Sequence, residues 1–441
     1  MSRICIVGDW HQAIVVGACL ADAGHDVRGA VSDESTAARL RQGEPPVHEP
    51  ELPELMARGL AAGRLQYTAS FEEALRGAAY AFISIDTPVS DSDEPELESV
   101  VAAARRVGCA IGGETVLVIT AQVPVGTCEQ LRDVVAGESG RAVQVAYIPE
   151  FLRLGHAVRT FIEADRFIIG CDDDAVAAAL EAIYAPLGRP VLRMGLRSAE
   201  MTKHACNAFL AASISFANEI ADLCAETGAD IDAVTAGMKL DRRIGEQAFL
   251  SAGLGFAGGT LGRDLRALQR IGAARGIETH MTDAALRVNG ERASLVRRRL
   301  ERVYDSVHGL RVAVLGLTYK AGTSTLRRSI ALDIIRELTA LGAEVRAFDP
   351  LATMDGVVDP PPFTRVSDPL VAADGADAAV LVTEWEGVDQ LDLAALRMRM
   401  RRAVFIDTRN RFDPAAMAEQ GFIYLGVGRG TVESVILEAS A

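Results

Sequence analysis

The chain lacks features that define several classes of protein. No run approaches the roughly 18 apolar residues of a membrane-spanning helix, and the start has no charged segment leading into a short apolar stretch and a cleavage site. Its 60 acidic residues outnumber 45 basic ones, and the resulting net charge of −15 repels nucleic-acid backbones. We therefore expect a cytoplasmic protein with neither a membrane nor a nucleic acid as partner.

The sequence also lacks the cysteine spacings of metal and disulfide frameworks. Its seven cysteines contain no C-x-x-C pair, and most lie in apolar text typical of strands or helices. We predict buried free thiols and no metal site. The cysteines are Cys5, Cys19, Cys109, Cys128, Cys171, Cys206 and Cys224.

What is present is a repeated pattern of apolar strand, glycine turn, helix and second strand. It begins at RICIVGDW (residues 3–10) and again at RVAVLGLTYK (residues 311–320), and in each case the helix and the second strand follow. The stretch from Ser198 to about Thr227 contains neither Pro nor Gly and has helical periodicity. The pattern predicts an α/β protein in which two Rossmann-like, doubly wound parallel-sheet domains (1–196 and 306–441) are joined by a central helical domain (197–305) with a long helix.

Polar residues on the long helix and in two loops are candidates for chemistry. Glu200, Lys203 and Asn207 fall on one helical face, which predicts either a polar-substrate site or a solvated face. Glu150 follows a strand, where it either binds ligand or is a solvated loop residue. Arg242 and Arg243 precede the glycine-rich loop GFAGGTLGRD, and one of the two either binds phosphate or sugar oxygens or forms a surface ion pair.

The first strand-to-helix turn departs from the dinucleotide-binding pattern G-x-G-x-x-G. Gly8 keeps the first glycine, but Trp10 replaces the second, and Asp9 adds a negative charge beside it. At the end of the second strand, Val31 takes the place of the acid that holds the ribose, and Asp33 either replaces that acid or caps the next helix. We therefore expect NAD binding to be disfavoured and no cofactor to be used.

The motifs GDWHQA, GEPPVHEPEL, IDTP, QVPVGT, PEFLRLG, EMTKHACNAFLAASISFANE, DRRIG, GFAGGTLGRDLRAL, LGLTYKAGTSTLRRS and IDTRN occur in that order. In this respect the chain resembles the UDP-glucose/GDP-mannose dehydrogenase family from about Arg3 to Gly428. Members of that family oxidise the C6 hydroxyl of a nucleotide sugar twice, with two NAD, through a thiohemiacetal and a thioester on a catalytic cysteine. The resemblance implies a degenerate NAD site in the first domain, a dimer through the central helix and a nucleotide-sugar site in the last domain.

The resemblance also implies roles for particular positions. The catalytic candidates are Glu150, Lys203, Asn207, Thr260 and Asp264. The substrate-binding candidates are Phe151, Leu152, Arg243, Phe249, Leu250, Gly255, Gly258, Gly259, Lys320 and Arg409. The candidates for the degenerate cofactor site are Gly8, Trp10, Asp33, Thr87 and Arg327.

The chain departs from the family on the oxidative side. Where the family reads G-F-G-G-S-C-F-P-K-D, Thr260 replaces the cysteine, and a hydroxyl is a far weaker nucleophile than a thiolate. Gln122 replaces a threonine that helps to order a catalytic water, and Ser324-Thr325 replaces a pair of aspartates.

These departures lead to three functional hypotheses. The first is a protein that binds a UDP- or GDP-sugar, or a related nucleoside, and has lost NAD-dependent oxidation; it would use Glu150, Lys203 and Asp264 for non-redox acid/base chemistry. The second is an NAD-dependent nucleotide-sugar 6-dehydrogenase, or one that halts at the aldehyde. The third is a non-catalytic partner of an active paralogue.

Overall fold

The computed structural model describes residues 1–87, 96–326, 328–354 and 357–430. The chain divides into two compact units, a first unit of Met1–Cys206 and a second unit of Asn207–Ala441.

The first unit is built on an eight-stranded sheet with the order β3-β2-β1-β4-β5-β6-β7-β8. Its strands are Arg3–Val7 (β1), Asp26–Ala30 (β2), Leu65–Thr68 (β3), Tyr80–Ile83 (β4), Val116–Ile119 (β5), Val145–Tyr147 (β6), Phe167–Gly170 (β7) and Val191–Met194 (β8). All neighbouring pairs are parallel except β6 and β7, which are antiparallel, a departure from the all-parallel prediction. The strand order reverses between β1 and β4, and ligands bind at such a switch point in open α/β sheets.

Helices cover both faces of this sheet. They are His11–Asp22 (α1), Glu34–Arg41 (α2), Leu52–Ala61 (α3), Phe71–Leu75 (α4), Glu98–Ala110 (α5), Thr127–Ser139 (α6), Ala157–Ile162 (α7) and Asp174–Tyr184 (α8). The strands β4 and β7, neither of which is at an edge of the sheet, are buried along their whole length, which is why their sequences are unbroken apolar runs.

The second unit contains a six-stranded parallel sheet with the order β11-β10-β9-β12-β13-β14. Its strands are Arg311–Leu315 (β9), Glu344–Phe348 (β10), Thr364–Val366 (β11), Ala378–Leu381 (β12), Val404–Asp407 (β13) and Ile423–Gly426 (β14). Before the sheet come the helices Ile231–Lys239 (α10), Thr260–Ala273 (α11), His280–Gly290 (α12) and Ser294–Tyr304 (α13). Within and after it come Ile330–Ala340 (α14), Pro369–Ala372 (α15), Leu393–Arg399 (α16) and Pro414–Glu419 (α17). The two parallel sheets and the helical region before the second confirm the predicted fold class.

The long helix, α9, spans Leu196–Thr227, two residues longer at its start than predicted. By length and composition alone it could cross a membrane, although its sequence contains no unbroken apolar run of that length. The same test is passed by core helices of soluble proteins. Glu200, Lys203 and Asn207 on this helix are buried and hydrogen-bonded to protein groups, as in a core helix.

All seven cysteines are free. Cys5, Cys19, Cys128 and Cys224 are buried as predicted, whereas Cys109 is exposed and the other two are half-buried, so the prediction is wrong for Cys109. Burial raises the pKa of Cys5 and of Cys19 to about 12. These two thiols therefore stay protonated at neutral pH and are poor nucleophiles.

Candidate functional site

The turn between β1 and α1 keeps the backbone of a dinucleotide-binding turn at its first position. Gly8 has φ +147°, in the region that favours glycine. A Cβ atom at this position would collide with the backbone oxygen of Ser84, which follows β4. The turn therefore needs glycine here because two adjacent strand ends meet closely at the switch point of the sheet.

The N-terminus of α1 is available to an anion. Trp10 is the N-cap residue in an extended conformation, and its side chain makes no capping hydrogen bond within the described residues. An indole carries only a donor, so it cannot accept from the N–H groups of the first turn. Trp10 is 49% exposed, so the indole is not packed into the core of the turn. Those N–H groups and the helix dipole remain suited to a phosphate.

The acidic residues near this turn are engaged by the protein. The Asp9 carboxylate accepts a hydrogen bond from the Ser32 backbone N–H at 3.2 Å. Asp33 caps α2, accepting from the Thr36 backbone N–H at 2.9 Å and from the Ser32 hydroxyl at 2.8 Å. These bonds lower the pKa of Asp33. Of the two interpretations of Asp33, the structure shows the helix cap, and the adjacent Val31 is buried.

Other residues around the switch point are also tied to the protein. The buried Thr87 donates its hydroxyl to the backbone oxygen of Gln122 at 2.9 Å. Gln12 donates from its side chain to the backbone oxygen of Thr120 at 3.1 Å. Arg327, the remaining cofactor candidate, lies outside the described residues.

Sequence reasoning missed Glu49, a fully buried carboxylate beside this turn. It lies 2.7 Å from the Nε2 atom of His11 and accepts from the backbone N–H groups of Gly155 at 2.9 Å and Ala157 at 2.6 Å. Glu49 therefore ties the first turn of α1 to the loop that follows Glu150. The motif GEPPVHEPEL was its only signal, because its partners lie 38 to 108 positions away.

Lys203 meets the loop after β6 through a backbone oxygen. Its Nζ atom donates to the backbone oxygen of Glu150 at 2.6 Å and lies 4.7 Å from the centre of the Phe151 ring. The Glu150 carboxylate instead accepts the backbone N–H of Leu152 at 2.6 Å. Lys203 is only 6% exposed. The structure thus brings Lys203 and Glu150 together, but not as an ammonium–carboxylate pair.

Glu200, on the same helix, binds backbone N–H groups at the start of α6. Its two carboxylate oxygens accept from the backbone N–H groups of Gly126 at 2.6 Å and Cys128 at 2.9 Å, at the N-terminus of α6. It is fully buried. The predicted alternative of a solvated face is therefore wrong for this part of α9, because the helix start of α6 covers it.

In the second unit, two buried polar candidates are paired. Asn207 donates from Nδ2 to Asp264 at 2.5 Å, and both side chains are buried. Asp264 lies one turn after Thr260, which is the exposed first residue of α11. A cysteine at a helix N-terminus would have a lowered pKa and would be a good nucleophile. Thr260 therefore stands where a thiol would be most reactive.

The glycine-rich loop before α11 is fixed by Asn289. The Asn289 side chain accepts from the Phe256 backbone N–H at 2.7 Å and donates to the Phe256 oxygen at 3.0 Å. Gly255 has φ +81°, and a Cβ there would collide with the Asn289 side chain. Gly258 also has positive φ, whereas Gly259 has φ −98° and open space around it. The backbone therefore requires glycine at the first two positions but not at Gly259.

The remaining sugar candidates differ in exposure. Arg243 is exposed and pairs with Asp241, and Phe249 is exposed beside the buried Leu250. Arg409 is half-buried and donates from Nε to the Val382 oxygen at 2.7 Å. The Lys320 ammonium lies 5.7 Å from the centre of the Tyr319 ring.

In the ranges that the structure describes, no group of three or more His, Cys, Asp or Glu is placed to hold a metal ion.

Three family models match the chain in order. They describe the NAD binding domain (residues 2–188), the central domain (197–291) and the UDP binding domain (313–414) of the UDP-glucose/GDP-mannose dehydrogenase family. The expectation that no cofactor is used is therefore wrong, because the NAD binding model extends through Gly8, Trp10 and Val31. Trp10, on which that expectation partly rested, is 49% exposed and makes no capping hydrogen bond within the described residues.

Individual UDP-glucose dehydrogenases are similar to this chain over nearly its whole length. A UDP-glucose 6-dehydrogenase of Pseudomonas aeruginosa is 39% identical over 97% of this chain and 97% of its own length. The UDP-glucose 6-dehydrogenase TuaD of Bacillus subtilis is 35% identical over 98% of this chain and 94% of its own. Among solved structures, a UDP-glucose dehydrogenase from Pyrobaculum islandicum matches with a TM-score of 0.86 and 34% identity, covering 97% of this chain and 98% of that one.

All three of these proteins are UDP-glucose dehydrogenases by name. The matches together with the geometry of the two sheets show that the chain belongs to the UDP-glucose/GDP-mannose dehydrogenase family.

Proposed function

We propose that the chain is an NAD-dependent dehydrogenase of a UDP-linked sugar that oxidises an alcohol to an aldehyde and stops there. One observation carries this proposal: Lys203, Asn207 and Asp264 are retained and buried, while Thr260 stands at the position of the family's nucleophilic cysteine. The family resemblance and the UDP binding domain match favour UDP over GDP as the nucleotide.

The proposed reaction converts R–CH₂OH and NAD⁺ into R–CHO, NADH and a proton. When bound, NAD supplies the acceptor for the hydride that leaves carbon. Lys203 is assigned to stabilising the alkoxide as the hydroxyl proton leaves to water, because its ammonium is buried and held in place by the Glu150 oxygen. Asn207 and Asp264 are assigned to orienting the sugar hydroxyls, and Glu150 to holding the loop that positions Lys203.

The second oxidation of the family begins when a cysteine thiolate adds to the aldehyde. A threonine hydroxyl loses its proton far less readily than a thiol and needs a dedicated base to act as nucleophile. Thr260 therefore does not capture the aldehyde. All seven cysteines precede residue 225, so no cysteine follows Cys224 to replace it.

The residues of the first unit fit NAD in part. The Gly8 turn and the N-terminus of α1 would hold the pyrophosphate, as in other dinucleotide-binding folds. Val31 offers no acceptor to the ribose hydroxyls, and Asp33 is engaged as a helix cap. We therefore expect NAD to bind, but more weakly than it would with an acid at position 31.

Replacing Val31 by aspartate is expected to tighten NAD binding by about 10-fold, since one hydrogen bond to a charged group contributes roughly 1.5–3 kcal/mol and burial of the carboxylate offsets part of it. Titration calorimetry with NAD measures the change directly. The matched control is Val31→Asn, which adds a polar side chain without the charge and should gain less. Unchanged or weaker binding by a Val31→Asp variant that melts like the wild type would refute this assignment of the ribose site.

The function itself is tested by mixing the purified chain with NAD and a panel of UDP- and GDP-sugars while following the absorbance of NADH. We expect NADH with at least one UDP-sugar. If none of the sugars gives NADH although calorimetry detects both NAD and a UDP-sugar bound, the chain is a binding protein, and the hypothesis of a non-catalytic partner replaces this one.

We also propose that two copies pair through α9. Phe209, Phe216 and Leu223 are exposed on this helix at intervals of seven residues, so they form one apolar stripe. Exposed stripes of this kind mark contact surfaces.

Phe216→Asp is expected to convert the dimer into a monomer in light scattering after size-exclusion chromatography, because a carboxylate would be buried at the centre of the stripe. Met398→Asp, a change of an exposed residue on α16, serves as the control and should stay dimeric. A Phe216→Asp variant with the mass of a dimer would contradict pairing through this stripe.

A further inference from the structure

A cleft lies in the second unit, between the C-terminal half of α9 and α13. It has a volume of about 490 Å³ and a charged lining that includes Asp222, Glu226, Glu291, Arg298, Arg299 and Arg302. A volume of this size suits a small molecule. None of its lining residues is among the candidates for NAD or sugar binding.

Arg299 is the unusual member of this lining. It is 6% exposed, and among the described residues its guanidinium makes no hydrogen bond or ion pair. Its Nε atom is fully buried without an acceptor. Burial, and secondly the charge of Arg292, lower the pKa of Arg299 to about 10, so it is still a cation at neutral pH. A buried cation without an anion is costly to the fold.

The neighbouring Arg292 has one donor to spare. It is 1% exposed, and its Nη1 atom lies 2.8 Å from both carboxylate oxygens of Asp222, while Nε donates to the Gly253 oxygen at 3.1 Å. Its Nη2 atom is buried and has no partner in the described part of the chain. The two buried guanidiniums repel each other, and each contains a nitrogen that has no acceptor among the described residues. Arg292 is not among the residues that line the cleft.

Most carboxylates near the cleft are already used by other arginines. Arg302 pairs with Glu226 at 2.6 Å, and Arg297 pairs with Glu301 at 2.6 Å. Within the described ranges, the one hydrogen bond that Arg298 donates goes to the Glu291 backbone oxygen, at 3.4 Å. The exposed side chain of Glu291 is the one carboxylate of the lining without an ion pair among the described residues. The free groups, Arg298, Arg299 and Glu291, leave a net charge of one positive.

We propose that this cleft binds a small molecule through an oxyanion, a carboxylate or a phosphate, that pairs with Arg299 and Arg298 of the lining. A guanidinium fork matches the two oxygens of either group. The bound oxyanion neutralises the buried cation of Arg299. This site is independent of the proposed dehydrogenase activity.

The test is thermal unfolding of the full chain in sodium acetate, in sodium phosphate and in sodium chloride of equal ionic strength. The wild type should gain a few degrees in Tm over chloride, with a saturating dependence on acetate or on phosphate. The salt to which it responds at the lower concentration identifies the oxyanion. Arg299→Met should melt higher than the wild type in chloride, because it removes an unpaired buried charge, and should lose the saturating response.

Two further variants keep the result decisive. Arg302→Met removes an exposed, ion-paired arginine of the same cleft and should retain the response. Arg299→Lys keeps the charge but loses the fork, so it should fold and respond at several-fold higher salt concentration. The proposal fails if the wild type and both Arg299 variants respond alike. It also fails if Arg299→Met shifts the mass in light scattering from dimer to monomer, since a carboxylate of a second copy would then be the occupant.

Discussion

Replacing Lys203 by methionine is expected to lower kcat for the oxidation of a UDP-sugar by at least about 100-fold, a typical loss when a group that stabilises transition-state charge is removed. Methionine keeps the length and apolar contacts of the side chain, including its position beside Phe151, and removes the ammonium that donates to the Glu150 oxygen. Steady-state kinetics of NADH formation give kcat and KM separately. The loss should fall mainly on kcat, because the interaction strengthens as the alkoxide forms.

The matched control is Lys239→Met, at the C-terminal end of α10 and distant in sequence from every candidate residue of the first unit. It should retain the kinetics of the wild type. A Lys203→Met variant with unchanged kcat and a raised KM would mean that Lys203 only binds the substrate, and the role assigned to it here would be wrong.

Replacing Thr260 by cysteine is expected to restore covalent capture of the aldehyde. The side chain at position 260 begins α11, where the helix dipole lowers the pKa of a thiol and raises its nucleophilicity. The yield of NADH per UDP-sugar should rise from one towards two. Intact-mass measurement should detect a sugar nucleotide bound to the cysteine, because Gln122 replaces the threonine that helps to order the hydrolytic water in the family.

Thr260→Ser is the control for this change, since it keeps a hydroxyl at the same position and should keep the yield at one. A Thr260→Cys variant that releases one NADH per sugar and shows no adduct, while it binds NAD and UDP-sugar like the wild type, would contradict the view that the missing thiol sets where the reaction stops.

Much of the fold follows from local sequence pattern. The strands Tyr80–Ile83 and Val116–Ile119 are wholly apolar because helices cover both faces of the sheet. The absence of Gly and Pro after Gly195 predicts α9 to within two residues. The antiparallel pairing of β6 with β7 was not predictable, since the apolar pattern of a strand contains no information about its direction.

The site was less predictable, because its side chains are defined by distant partners. Helical spacing placed Glu200 and Lys203 on one face, but it could not show that the N-terminus of α6 receives the first and the Glu150 oxygen accepts from the second. Glu49 is buried by residues far away in sequence, such as Gly155. The local sequence around it, GEPPVHEPEL, therefore resembles a solvated, proline-rich loop. In the same way, the spacing placed Trp10 at the phosphate turn without showing that its ring is exposed.

The most direct test of the account is a count of NADH formed per UDP-sugar consumed by the wild-type chain, with hydroxylamine present to trap an aldehyde and mass spectrometry of the product. The account predicts one NADH per sugar and an oxime that still carries UDP. Two NADH per sugar with a carboxylic acid product, or no NADH from any UDP-sugar that the chain binds together with NAD, would contradict it.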